Sequence, residues 1–196
     1  MFMLANMTMM AIREDKLRSL KRLIFEVFSS GNDDDQFQYG DFWHINKRWL
    51  KIRNYETFIL YEGGMNIDDA IISYINRDFS QDFYILPEKS LYLDRLDSDF
   101  IPFTFSDADD FRNFMIEKDG LYYENYILFS SSFDLILHVL EEEVIIVTGF
   151  LGRLECYFNT SYEDIKKYFY EHSGCNPNAV GAKYYWGENW WGNNER

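Results

Sequence analysis

The residues of this chain whose types suit chemistry are few: three histidines, two cysteines and one aspartate placed near a histidine in a strand-like run. His44, His138 and His172 fall in separate segments, and none belongs to an HExxH, an HxH or a His/Cys set with zinc spacing. His138 lies in the apolar run from Phe133 to Leu140. Strand alternation there puts Phe133, Leu135, Leu137 and Val139 on one side, and Asp134, Ile136, His138 and Leu140 on the other. Asp134 and His138 thus share a face, as two members of a charge relay would. The nucleophile is missing: there is no GxSxG elbow, and Ser130, Ser131 and Ser132 read as a turn. Asn32-Asp33-Asp34-Asp35 does not continue as a calcium loop, because Gln36 and Phe37 interrupt the oxygen ligands. Cys156 and Cys175 form no CxxC and read as thiols in a reducing cytosol. The expectation is a protein without metal, cofactor or enzymatic activity, with a hydrolase built on Asp134 and His138 as the minor reading.

What would position these groups is a sheet. Leu121 to Phe158 is the densest run of strand formers. Breaks at Ser130–Ser132, Glu141–Glu143 and Gly149–Arg153 divide it into four predicted strands, the last containing Cys156. Before it, Phe42–Ile52 and Thr57–Tyr61 read as one hairpin, and Asp82–Leu86 and Ser90–Leu96 as another around Pro87-Glu88-Lys89. Phe100–Phe105 reads as an edge strand, since Pro102 cannot donate to a ladder. Helices are predicted over Met9–Ser29 and Ile67–Asn76, after a Ser106 cap with Phe111, Phe114 and Met115 facing inward, and after a Thr160–Glu163 capping box. The fold class is therefore α+β: a largely antiparallel sheet, with a β-meander in the C-terminal half, packed by several amphipathic helices. Residues 1–175 read as a single domain and 176–196 as an aromatic, glycine- and asparagine-rich tail.

Charge sets the class of partner. With 33 acidic and 19 basic side chains the net charge is -14, which repels nucleic acid and anionic lipid and favours a basic protein. Arg13, Lys16, Arg18, Lys21 and Arg22 on the first helix read as the one concentration of positive charge, a solvated face balancing nearby carboxylates. The opening MFMLANMTMMAI lacks a positive leader region, and no apolar run reaches the roughly 18 to 20 residues of a spanning helix. The expected location is the cytoplasm, with no membrane contact. Candidate partner-binding residues are Asp107, Asp109 and Asp110 at one helix start, Glu141, Glu142 and Glu143 at one turn, and Trp190 and Trp191 in the tail. Trp186, Trp190 and Trp191 either anchor a partner or fold back on the domain; packing on the domain is favoured, because exposed tryptophans promote aggregation.

Within the meander, Ser132-Phe133-Asp134 entering an apolar strand, the acidic turn at Glu141-Glu142, then Val144–Val147 and Gly149, resembles small cytosolic immunity proteins of bacterial polymorphic-toxin and contact-dependent growth-inhibition systems. The resemblance implies a non-enzymatic protein that binds a cognate toxin domain, commonly a nuclease, and covers its active site. An acidic phage-encoded anti-defence protein or nucleic-acid mimic is the alternative in the same binding class.

Overall fold

The computed structural model describes residues 18–29, 43–61, 66–76, 82–92, 100–118, 124–140, 144–174, 181–187 and 190. The elements in chain order are helix α1 (residues 18–27), strands β1 (Phe28–Ser29) and β2 (His44–Ile45), α2 (Lys47–Arg53), β3 (Tyr55–Tyr61), α3 (Asn66–Asn76), β4 (Phe83–Pro87), α4 (Lys89–Tyr92), β5 (Ile101–Pro102), α5 (Ala108–Glu117), β6 (Tyr126–Ser130), β7 (Leu135–Leu140), β8 (Val144–Phe150), α6 (Leu151–Phe158), α7 (Tyr162–His172) and α8 (Ala182–Trp186). Six strands form one antiparallel sheet in the order β3-β8-β7-β6-β4-β5, and β1 pairs with β2 apart from it. The fold is α+β on an antiparallel sheet. None of the helices among the described residues is long and apolar enough to cross a membrane.

Both faces of the sheet are covered, which explains why its central strands read as unbroken apolar runs. Every residue of β6 and β7 is buried. On one face Leu128, Leu135, Leu137, Val139, Ile145 and Val147 meet Ile71 and Ile75 of α3, Phe111 and Met115 of α5 and Leu154 of α6. On the other, Ile127, Phe129 and Ile136 meet Leu20, Ile24 and Val27 of α1. Beside them Ile59, Leu140, Val144 and Ile146 meet Phe169 and the C-terminal segment. Phe133 departs from the predicted alternation. Its φ of 57° turns it out of line with Leu135 and stacks it on Phe129 at 4.8 Å, on the face of Ile136. Such a φ is costly for a bulky side chain, and burial against Phe129 offsets it.

Several predicted strands are helices. KRWLKIR, expected in the hairpin strand Phe42–Ile52, is α2: the Asn46 carboxamide accepts from the Arg48 and Trp49 N–H groups at its start. Asn54 closes it at φ 55°, donating its N–H to the carbonyls of Leu50 and Lys51. Thr57–Tyr61 accordingly finds its partner in β8, with Phe58 opposite Val147. The expected fourth meander strand is α6, whose Leu151, Leu154 and Phe158 recur at helical steps and which ends on Asn159 at φ 50°. Cys156 is exposed on that helix. The hairpin partner expected at Ser90–Leu96 begins instead as the short helix α4; residues 93–99 lie outside the described residues. So do Cys175, Asn32–Asp35, the opening segment before residue 18 and the expected helix end at Gly120.

Two caps shift by a residue. Asp107, not Ser106, opens α5 by accepting from the N–H groups of Asp109 and Asp110. Ser161 opens α7, accepting from the Asp164 N–H at 3.1 Å while donating to the Asp164 carboxylate at 2.6 Å. The box is thus Ser161 with Asp164 rather than Thr160 with Glu163.

Candidate interaction surfaces and a buried polar cluster

The acidic cluster at the start of α5 exists because a capping aspartate and two first-turn aspartates suit the unpaired N–H groups and positive end of a helix. Asp107 is committed to its cap, whereas Asp109 is 83% exposed and accepts from Arg112 at 3.0 Å. Arg112 also donates at 2.7 Å to Asp68 of α3, a carboxylate buried to 1% exposure. The outer face of α5 consists of Asp109, Asp110, Asn113, Glu117 and the exposed Ile116, opposite the buried Phe111 and Met115. Glu141, Glu142, Glu143 and Trp191 lie outside the described residues.

Asp134 and His138 do not form a relay. Four residues along an extended strand span roughly 13 Å, beyond any hydrogen bond. Asp134 accepts from the Tyr55 hydroxyl at 2.6 Å and the Ser132 hydroxyl at 2.7 Å. Burial first, then that hydrogen bond to Asp134, push the Tyr55 phenol well above its ordinary value. His138 is fully buried in the sheet, opposite Ile127 and Ile146, and its Nε2 lies 3.4 Å from Glu88.

That contact reveals a cluster with no sequence signature: His44, Glu88 and His138, from three separate segments, all nearly inaccessible to solvent. The backbone N–H of Trp43 donates to the Glu88 carboxylate. Burial alone would raise the Glu88 pKa, but the His138 hydrogen bond and charge, with the Trp43 and Asn125 donors, hold it below the ordinary carboxylate value. The His44 pKa is also lowered, from 6.5 to about 4, by burial and then by the charge of His138, which for an imidazole favours the neutral form. Its ring stacks on Tyr184 at 4.4 Å. Tyr184 donates to the Ile45 carbonyl at 3.0 Å, and the Ile45 N–H donates to the Tyr185 hydroxyl at 3.1 Å. The C-terminal segment thereby grips both backbone groups of Ile45 in β2. Among the described residues no group of three or more His, Cys, Asp or Glu side chains is placed to hold a metal ion.

The tail's described tryptophans pack inward. Trp190 is 6% exposed against Phe169 and Trp186, and the Trp186 indole donates at 2.8 Å to the Thr57 carbonyl on edge strand β3. Trp190 is therefore not available as a surface anchor in this conformation. His172 stacks on Tyr168 at the exposed end of α7, and the open cleft nearby is lined by Leu60, Tyr61, Phe158 and Ile165, with Asp164 already engaged by Ser161.

A surface missed at the sequence level is basic. Lys47, Arg48, Lys51 and Arg53 occupy one seven-residue helix that carries no acid and no buried residue, so α1 is not the chain's one concentration of positive charge. On α2, Lys47, Arg48, Lys51 and Ile52 face outward, opposite the half-buried Trp49 and Leu50. Ile52 is 73% exposed, and Trp49 of the same helix forms an edge-to-face row with Tyr55 and Phe150, with centroid separations of 5.3 and 4.7 Å. Reading KRWLKIR as a strand split these cations between two faces and concealed the patch. No family model matches the chain, and neither a curated protein nor a solved structure is significantly similar to it.

Proposed function

We propose that this chain is a stoichiometric inhibitor of the immunity type, a cytoplasmic protein that binds a basic toxin domain such as a nuclease and covers its active site, with no cofactor and no catalysis of its own. The observation carrying this reading is the exposed carboxylate face of α5, Asp109, Asp110 and Glu117, on a chain whose net charge is -14. These side chains stand where a nuclease would otherwise meet phosphates. They project from a helix whose seat is fixed by Phe111, Met115 and the Arg112–Asp68 pair, so little ordering entropy is lost on binding. Against a hydrolase built on Asp134 and His138 stands the engagement of Asp134 by Tyr55 and Ser132 and of His138 by Glu88.

The test is capture of the partner by the tagged chain from its native host, followed by titration of the captured protein's activity. A basic partner whose activity falls to zero at one equivalent is expected. In Asp109→Lys with Asp110→Lys, association should slow more than dissociation quickens, and added salt should remove most of the difference, because screening at 0.15 M acts over about 8 Å. An acidic partner, or full inhibition by the reversed variant at the unmodified rate, would sink the proposal.

A further inference from the structure

Two of the exposed helix faces among the described residues are complementary. α2 presents Lys47, Arg48 and Lys51 around Ile52, while α5 presents Asp109, Asp110 and Glu117 around Ile116, which is 45% exposed. Each helix is anchored by its inner side: α2 leans through Trp49 on Tyr55 of β3, one edge of the sheet. α5 packs through Phe111 on Phe103 and Tyr126, beside the strands at the other edge. Among the described residues none of the outward cations of α2 makes an ion pair; the Lys47 ammonium sits 4.3 Å over the Tyr184 ring.

We infer that α2 of one copy docks on α5 of another, so that the chain associates head to tail with itself, in competition with the basic partner proposed above for the same α5 face. The apolar centre with a charged rim is the usual anatomy of a protein contact. An extended polyanion is the poorer occupant for α2. Without the four α2 cations the rest of the molecule carries a net charge of -18, and a nucleic acid or anionic bilayer reaching past the patch would meet that charge. A second copy brings a compact acidic face with its own exposed isoleucine. Because the two surfaces differ, the contact is heterologous and repeats, giving short chains or rings rather than a closed two-fold dimer. Helices of seven and ten residues make a small interface, so exchange is rapid.

Salt dependence supplies a distinctive signature. At about 0.01 M the screening length is about 30 Å and whole molecules repel; at about 0.15 M it is about 8 Å and only the facing patches interact; at about 1 M it is about 3 Å and the patches themselves are screened. Association of the full chain, followed by sedimentation equilibrium, is expected to peak at the middle value. Arg48→Glu with Lys51→Glu should weaken it at least tenfold, and so should Asp109→Lys with Glu117→Lys. All four positions are exposed, so unchanged circular dichroism is expected of both variants, with a small drop in melting temperature for the α5 variant, whose Asp109 accepts from Arg112 in the first turn of the helix. Mixing the two variants restores one native pairing and creates one reversed pairing, so a mixed complex should form although each variant alone is monomeric. The inference is overturned if the unmodified chain stays monomeric at 0.15 M, if either variant associates as the unmodified chain does, or if the mixture yields no mixed complex.

Discussion

Acid should loosen this protein through His44, and the size of the effect follows from its surroundings. His44 is 1% exposed, stacked on Tyr184, and faces His138, Glu88 and Lys47. Burial and the charge of His138 lower its pKa from 6.5 to about 4. Between these values the unfolded chain binds a proton at this position that the folded chain refuses, so stability falls as pH drops below 6.5 and levels off near 4. From pH 7.5 to 4.5 the loss is about 2.5 kcal/mol, or about 5 to 10 °C in melting temperature for a chain of this length. Glu88 acts in the same direction at lower pH: its folded pKa is depressed, so its contribution is present above its ordinary value and disappears as pH falls through the folded one. The assay is urea unfolding of the unmodified chain and of His44→Gln at half-unit steps across that window. The glutamine variant, less stable at pH 7.5 for want of the stacked ring, has no titrating group there, so the two stability curves should converge by about 2.5 kcal/mol towards pH 4.5. Parallel curves would refute the reasoning, as would a His44 proton resonance that titrates near 6.5 in the folded protein.

Other expectations concern stability alone. Trp186→Phe keeps an aromatic ring but removes the indole donor to Thr57, and should cost about 1 kcal/mol by chemical denaturation. Trp190→Ala should cost about 3 to 5 kcal/mol, as expected of a tryptophan truncated within a packed cluster, whereas a melting temperature within a degree of the original would return the tail to a surface role. Arg112→Leu takes from the buried Asp68 carboxylate the cation that bridges α3 and α5; a loss of about 2 to 3 kcal/mol is expected, below the range for fully buried pairs because Arg112 reaches solvent. Gly149→Ala puts a methyl 3.0 Å from the Asp134 carbonyl, at the Leu135 pairing position, and should cost about 1 to 3 kcal/mol by the same measurement.

The amino-acid sequence determined whatever depends on near neighbours. The strands after Tyr126, the helix over Asn66–Asn76, the helix opened by an aspartate-rich turn and the α+β class all follow from periodicity and caps, which act within a few residues. Net charge is a sum over composition and needs no coordinates. Tertiary structure decided the cases where local signals were balanced. KRWLKIR alternates well enough for a strand, but an asparagine at each end supplies helix caps, and β3 is satisfied instead by β8, some ninety residues away. LGRLECYF has the aromatic content of a strand, yet its leucines and Phe158 find the core only at helical steps. The alternation that paired Asp134 with His138 was sound for β7 itself, but it broke at Phe133, where a positive φ serves the stack on Phe129. The true partner of His138 is Glu88, fifty residues earlier, and no local pattern encodes that contact. Burial on both faces of a sheet erases the polar alternation by which a sequence announces which side is which, so the position of a lone polar residue inside it is settled only by what packs above.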